Sequence, residues 1–535
     1  MKINGIFSYR LLFFLLPVIY FFAYGRYGLD DIDGGYAMSS AYRILNGEVP
    51  YRDFILVRPP LFLYLHVIPL LIIPAAFQLI VNRVCVYIIF ALSAWVASKI
   101  IDHHFNLAQY HLDKYLFACI AFVFSVHNFP PMLWHTTDGI LLGVTGIYFL
   151  SVNTNKLKIV LGMFFLCMAA LIKQSFYPMP LIGLLFLLLS SRRNFLTGLV
   201  STIAFTLVAY FVAAASHLVA PFIFWTTGST HLKDALDAGL WSYLNKRAFK
   251  IPLECLAAFF IIKWIVKAAF KKNIETGWMI LFYTVVVFLT IIYRSRTDEP
   301  IHFQNGYPQI FFIATCLFVI VSFSQKGKDE RILVLCFLLA LAWCASISWG
   351  YRTPLLFAAP LVFGIIWISR EFLHFTKPRI LYHFLLVGGL ISFFIASGNA
   401  YYDGKRKDLT YDMSAVFPKL SFIKSDQQTF DKYNELKKLA SKYGANFKTL
   451  PGMLLSNYLT DTKPPIGVDW ALDVEVNNHI DSLVDKLNKS SCIVFVEKNP
   501  VLKIDSRWRS SITQYVIDNW KRIDESAYFY IYRRP

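Results

Sequence analysis

Apolar runs recur from residue 8 to about residue 398, and this repetition decides what the chain can be. About 20 helical residues cross the ~30 Å hydrocarbon layer of a bilayer. Inside that layer every backbone polar group must be satisfied within the protein, so a bundle of helices is the expected architecture. Composition agrees: the 535 residues are 56% hydrophobic and 16% charged, with a mean hydropathy of +0.50, which excludes an ordinary soluble globular class. The net charge of +18 lies on no continuous basic helix or aromatic-basic platform, so nucleic acid is not an expected partner. Seven cysteines lie in apolar stretches and Cys492 stands alone in the tail, with no disulfide framework or zinc spacing.

The first run, "YRLLFFLLPVIYFFAYG", shows no small-residue cleavage site and reads as a retained signal-anchor. Lys2 and Arg10 precede or open it, which places the N-terminus inside and the following loop outside. Residues 61–80 then set the sidedness of everything downstream. They are long enough to cross, but Pro69 and Pro74 interrupt them and His66 lies within. A crossing there would put Arg192 and Arg193, Lys271 and Lys272, Lys326, Lys328 and Arg331, and Arg370, Lys377 and Arg379 outside, against the positive-inside bias. A re-entrant or interfacial helix keeps all of these inside, together with Lys156 and Lys158.

That choice predicts about thirteen spans, near 8–25, 84–101, 115–128, 138–152, 159–172, 176–190, 195–218, 253–270, 277–293, 307–323, 331–348, 354–369 and 380–398. The outward segments are then 26–83, 129–137, 173–175, 219–252, 294–306, 349–353 and the chain after 398. Residues 1–398 form the transmembrane part, with 26–83 as its first external loop, and 399–535 form a small extracytoplasmic α/β domain. In that tail Ser425 or Asp426 caps a helix running to Gly444 and "FKTLP" is a strand. "VNNHIDSLVDKLNK" is a helix, "CIVFVE" a buried strand, "SSITQYVIDNW" a helix and "AYFYIY" a closing strand. The tail carries no catalytic motif.

Polar residues collect on the outward face. The first loop, "GLDDIDGGYAMSSAYRILNGEVPYRDFILVRPP", holds Asp30, Asp31 and Asp33 ahead of an amphipathic helix, and Arg58 before Pro59 and Pro60. In isolation Asp33 is placed to cap that helix, with the other two solvated or favourable near its positive end. Asp138 opens a later span, where a carboxylate is costly unless it faces a polar cavity or partner. Capping by Thr136, Thr137 or Asp138 is the other reading. Lys173 reads either as a site residue or as a lysine snorkelling to the interface.

The order apolar span, "DxDGGY…AYRILNGEVPYRDF…RPP", resembles the first external loop of the integral-membrane glycosyltransferases of the GT-C fold, which include protein O-mannosyltransferases and lipid A aminoarabinose transferases. The likeness covers roughly residues 8 to 180 and takes in "WHTTDG" and "AALIKQS". Gly34 stands where many members have Glu, leaving a carboxylate pair open, and Arg58 stands where lysine is common. The resemblance implies transfer of a sugar from a polyprenyl-phosphate carrier to an outer-side acceptor, usually with inversion. Asp33 is then the first choice of general base and Asp31 the second. Arg58 and then Lys173 would hold the departing phosphate. Arg294 and Arg296 would approach the donor, and Asp30, Asp138, His302 and Tyr307 are further substrate-site candidates. His135 reads as interfacial packing and Arg352 as a weaker outward cation.

No obligatory metal is expected, because Arg58 and Lys173 can neutralise a lipid monophosphate. A divalent cation at Asp30, Asp31 and Asp33 is the alternative. The expected partners are the bilayer, a polyprenyl-phosphate-linked sugar, and a lipid-linked glycan, lipopolysaccharide, cell-wall polymer or protein acceptor. The expected location is a bacterial inner membrane, with the active site and tail on the periplasmic side. A transporter or lipid flippase would show repeated halves and ionisable groups near the midplane. A non-catalytic scaffold binding partners through its tail is a third reading.

Overall fold

Apolar stretches become helices wherever the computed structural model describes the chain: residues 5–126, 132, 134–227, 235–244, 246–271, 274–294, 307–326, 329–348, 352–399, 401–477, 479–500 and 509–535. The helices are α1 (Gly5–Tyr20), α2 (Asp33–Leu45), α3 (Leu61–Ile72), α4 (Gln78–Phe105), α5 (Lys114–Val126), α6 (His135–Ser151), α7 (Lys156–Ala170) and α8 (Pro178–Ser190). They continue as α9 (Arg192–Ala215), α10 (Val219–Thr226), α11 (Lys246–Phe270), α12 (Trp278–Arg294), α13 (Tyr307–Lys326), α14 (Glu330–Ser346), α15 (Ala359–Glu371) and α16 (Pro378–Ala396). Among the described residues, Ala75–Phe105, Arg192–Ala215 and Pro378–Ala396 are long and apolar enough to cross a membrane by length and composition. α9 turns Leu196, Val200, Phe211 and Val212 outward, a surface that suits hydrocarbon far better than water.

Small residues let α6 and α7 pack closely. A Cβ on Gly146 would lie 3.0 Å from the Gly162 carbonyl oxygen, and one on Gly162 would lie 3.1 Å from that of Gly146. Alanine at either position would force the two helices apart.

The 61–80 segment does not run as one helix. α3 has 12 residues, about 18 Å at 1.5 Å per residue, which is less than the hydrocarbon thickness. It stops at Ile73, whose extended backbone is what the following Pro74 requires. Phe62, Leu63, His66, Val67 and Leu70 are buried while Tyr64, Ile68, Leu71 and Ile72 face outward. α4 then starts at Gln78 rather than at residue 84, and Arg83 falls inside it.

The tail folds around a four-stranded sheet of β3 (Phe447–Leu450), β4 (Ile493–Glu497), β5 (Lys521–Glu525) and β6 (Phe529–Arg533), in the order β3-β4-β6-β5. β1 (Tyr411–Asp412) and β2 (Lys424–Ser425) form a separate antiparallel pair. β3 and β4 are parallel and the other neighbours antiparallel. α17 (Gln427–Tyr443), α18 (Ser456–Leu459), α19 (Ile480–Lys489) and α20 (Ser511–Asn519) complete the module. Asp426, not Ser425, caps α17 by accepting from the Thr429 N–H. Two expectations change here. Residues Asp473–Val476 form a 3₁₀ turn, so the next helix begins only at Ile480, and the closing strand has an additional hairpin partner in β5.

Alternation in β4 explains its continuous apolar sequence. Ile493 and Phe495 enter one core, and Val494 and Val496 enter another with Leu483, Leu487, Ile512 and Val516. The first of these cores is shared: it also contains Ile32, Tyr36, Met38 and Ala41 of the α2 region and Phe62 and Leu63 of α3. The first loop is thus packed between helix bundle and sheet.

Candidate functional site

Polar anchors bind the first loop to both neighbours. Arg83 of α4, buried, donates to the carbonyl oxygens of Gly25 and Tyr27 at 3.2 Å each and of Gly28 at 2.7 Å. Arg43 of α2, 1% exposed, donates to Asp469 at 2.7 Å, to Glu48 at 2.7 Å and to the Ile466 carbonyl at 2.6 Å. A buried guanidinium is tolerated only when so fully engaged.

The three loop aspartates face three different surroundings. Asp30 accepts from the N–H groups of Ile32 at 3.0 Å and Gly34 at 2.8 Å, so it, and not Asp33, satisfies the open start of α2. Asp31 turns toward the C-terminal module, accepting from the Tyr433 hydroxyl and from the Leu455 N–H. Asp33 is the first residue of α2, keeps part of its surface accessible, and accepts no hydrogen bond among the described residues. The trio is not a ligand set, and among the described residues no group of three or more His, Cys, Asp or Glu is arranged to hold a metal ion.

Two cations reach Asp33 from other segments. Arg58 lies over the Tyr36 ring at 5.0 Å and is placed by the Tyr51 hydroxyl, which donates to its carbonyl at 2.5 Å. Lys173 donates to Thr136 Oγ1 at 3.0 Å and to the Ile347 carbonyl at 2.8 Å. The two loops are joined: Gln174 donates to the Val57 carbonyl at 2.6 Å, and the Leu61 N–H donates to the Leu171 carbonyl at 3.1 Å. Snorkelling is therefore not what Lys173 does, because its ammonium points inward and is buried.

Sequence reasoning missed Glu475. It accepts from both terminal nitrogens of Arg58, at 2.9 and 2.8 Å, in a bidentate pair across 417 residues of chain. No local pattern in "LDVEVNN" marks it.

These groups set one another's ionisation. Burial pushes the Asp33 carboxyl up to about 7, and Asp30 and Glu475 add to the shift while Arg58 and Lys173 oppose it. Burial pulls the Lys173 ammonium down to about 7, helped by Arg58 and resisted by Asp33. Asp31 is also raised to about 7 by burial, against the hydrogen bonds from Tyr433 and Leu455.

Beside this group, Asp138 Oδ2 lies 3.1 Å from His66 Nε2 of α3, a close approach without hydrogen-bond geometry. No side chain caps α6, and Thr137 donates back to the Trp134 carbonyl instead, which removes the capping reading of Thr136, Thr137 and Asp138. His135 packs between Phe62 and Trp134, with ring centroids 5.5 and 5.8 Å away. Arg352 offers its carbonyl to Gln309 at 2.6 Å. Arg296 and His302, with the side chains of Arg294 and Tyr307, lie outside the described residues. The structure thus unites Asp33, Arg58 and Lys173, adds Glu475, leaves Asp30 beside them but engaged with the start of α2, and directs Asp31 elsewhere.

No protein-family model matches the chain, and no curated protein matches it. Among solved structures it is similar to ArnT from Cupriavidus metallidurans bound to undecaprenyl phosphate, at 11% identity and a TM-score of 0.48 over 98% of each chain. It is also similar to the archaeal oligosaccharyltransferase AglB from Archaeoglobus fulgidus in complex with an inhibitory peptide and a dolichol-phosphate. That likeness has 12% identity and a TM-score of 0.43, covering 93% of this chain and 70% of that one.

Proposed function

We propose that the chain is an inverting glycosyltransferase that moves a sugar from a polyprenyl-phosphate donor to an acceptor hydroxyl on the outer side of a bacterial inner membrane. One observation carries this reading: a carboxylate with no hydrogen bond among the described residues, raised to about 7, faces two cations delivered by separate segments. Asp33 takes the proton of the acceptor hydroxyl as that oxygen attacks the anomeric carbon. The bond from that carbon to the phosphate oxygen breaks on the opposite face, and the electron pair leaves with the polyprenyl phosphate. Arg58 and Lys173 balance the charge that grows there, so they supply the positive field in this scheme.

The site also suits an amphiphilic donor physically. α3 presents Ile68, Leu71 and Ile72 outward near one end of the bundle, a surface on which an isoprenoid chain can lie. The C-terminal module covers the loop from the other side through Arg43, Asp31 and Glu475. It would form the wall toward a lipid-linked glycan, lipopolysaccharide, cell-wall polymer or protein acceptor.

The test uses purified full-length protein in nanodiscs with a polyprenyl-phosphate-linked sugar. Release of polyprenyl phosphate is expected only when an acceptor is present, and Asp33→Asn should slow it by about 10²–10⁴-fold. Undiminished turnover in the Asp33→Asn, Asp31→Asn double variant would remove the proposed base.

A further inference from the structure

A polar cavity lies at the end of the bundle away from Asp33. α4 begins near the first loop and has 28 residues, so its far end is about 42 Å away along the helix axis. There a cavity of about 310 Å³ opens among Tyr110, Asp329, Arg331, Trp367, Arg370 and Glu371. Its floor is aromatic and its rim charged, and no step at Asp33 uses it.

The charges at the rim are not equivalent. Arg331 is held by Asp329 through Nε at 3.0 and 3.1 Å and Nη2 at 2.6 Å, so this pair is internally neutral. Arg370 makes a single long bond, 3.4 Å to the Gln109 carbonyl. Glu371 has no hydrogen bond or ion pair among the described residues, and the two neighbours do not pair with each other. The cavity therefore offers one cation and one anion side by side, neither of them in an ion pair among the described residues, with Arg331 as the nearest further charge to Glu371.

We propose that this cavity binds a zwitterionic phosphoethanolamine-type group, with phosphate oxygens on Arg370 and the ammonium on Glu371. A simple anion would have to sit beside the Glu371 carboxylate, and a simple cation beside the Arg370 guanidinium; a group carrying both charges satisfies both. Trp367 and Tyr110 supply the amphipathic rings that favour the boundary between headgroups and hydrocarbon. The same chemistry is carried by a phosphatidylethanolamine headgroup and by free glycerophosphoethanolamine.

Full-length protein in detergent is titrated with short-chain phosphatidylethanolamine, short-chain phosphatidylglycerol and glycerophosphoethanolamine while its thermal midpoint is followed. Phosphatidylethanolamine should half-saturate the stabilisation at a concentration at least tenfold below that of phosphatidylglycerol. A matching response to glycerophosphoethanolamine identifies the headgroup alone as the ligand, and no response to it identifies the lipid. Glu371→Gln should erase the tenfold preference while phosphatidylglycerol still binds, and Arg370→Gln should weaken both lipids. A loss caused only by unfolding would not convert selectivity in this way. Equal responses to the two lipids in the unaltered protein, or a preference that survives Glu371→Gln, overturns the proposal.

Discussion

Replacing Glu475 by Gln should weaken the ligand-free protein and strengthen its hold on polyprenyl phosphate. In the structure Glu475 occupies both terminal nitrogens of Arg58, the two positions that a phosphate would take. The side chains are 13% and 3% exposed, so the pair is buried. Removing one member of a buried pair typically costs about 3–5 kcal/mol. Asp33 still faces Arg58 and offsets part of the uncompensated charge, which places the expected loss near the lower limit, ~3 kcal/mol. A phosphate binding the variant no longer displaces a carboxylate, and recovery of ~3 kcal/mol corresponds to about a hundredfold in dissociation constant. The thermal midpoint of purified protein and its binding of polyprenyl phosphate are measured for both forms. A lower midpoint with affinity ten- to a hundredfold tighter is expected. Unchanged or weaker affinity would show that phosphate does not compete for Arg58, and the donor site would have to be built elsewhere.

Asp33→Asn should lower turnover by about 10²–10⁴-fold without lowering the thermal midpoint, since no hydrogen bond to Asp33 is lost among the described residues. The base works deprotonated, so kcat/KM should rise as pH climbs through about 7; Lys173 works protonated, so it should fall again above about 7. Lys173→Arg keeps its charge and should remove the falling limb. Asp31→Ala should cost about 2–3 kcal/mol by stranding the Tyr433 hydroxyl and the Leu455 N–H. Because burial raises Asp31 to about 7 when folded, against ~3.9 unfolded, its stabilising effect is complete below ~4 and declines as pH rises toward 7. Denaturant titrations at pH 5 and pH 8 should therefore find the unaltered protein losing stability relative to Asp31→Asn at the higher pH.

Helices and the amphipathic α2 were legible because apolar periodicity and length act locally. The start of α4 was not, because Gln78, Asn82 and Arg83 interrupt the apolar pattern with polar groups that only tertiary partners explain. Gln78 and Asn82 are four residues apart on one helical face, a spacing that marks them as inward-facing in retrospect. Asp30, Asp31 and Asp33 show a sharper limit. Composition marks the cluster, but a turn of backbone sends one back to its own helix, one to the module and one to the site. β5 escaped notice because "KRIDE" is a charged, mostly exposed edge strand without the apolar alternation by which strands are recognised. Glu475 was invisible for a different reason: its meaning comes entirely from a guanidinium encoded 417 residues earlier.

The bond from the Leu455 N–H to Asp31 joins positions 424 residues apart, so the two partners emerge from the ribosome at very different moments. At ~5–20 residues per second the interval is roughly 20–80 s. For most of that time the newly made acidic segment has neither Tyr433 nor Glu475 to hold it, so its contacts with the C-terminal module are the last to form. A chain interrupted before residue 433 would carry the helices but lack the contacts by which the C-terminal module holds the first loop.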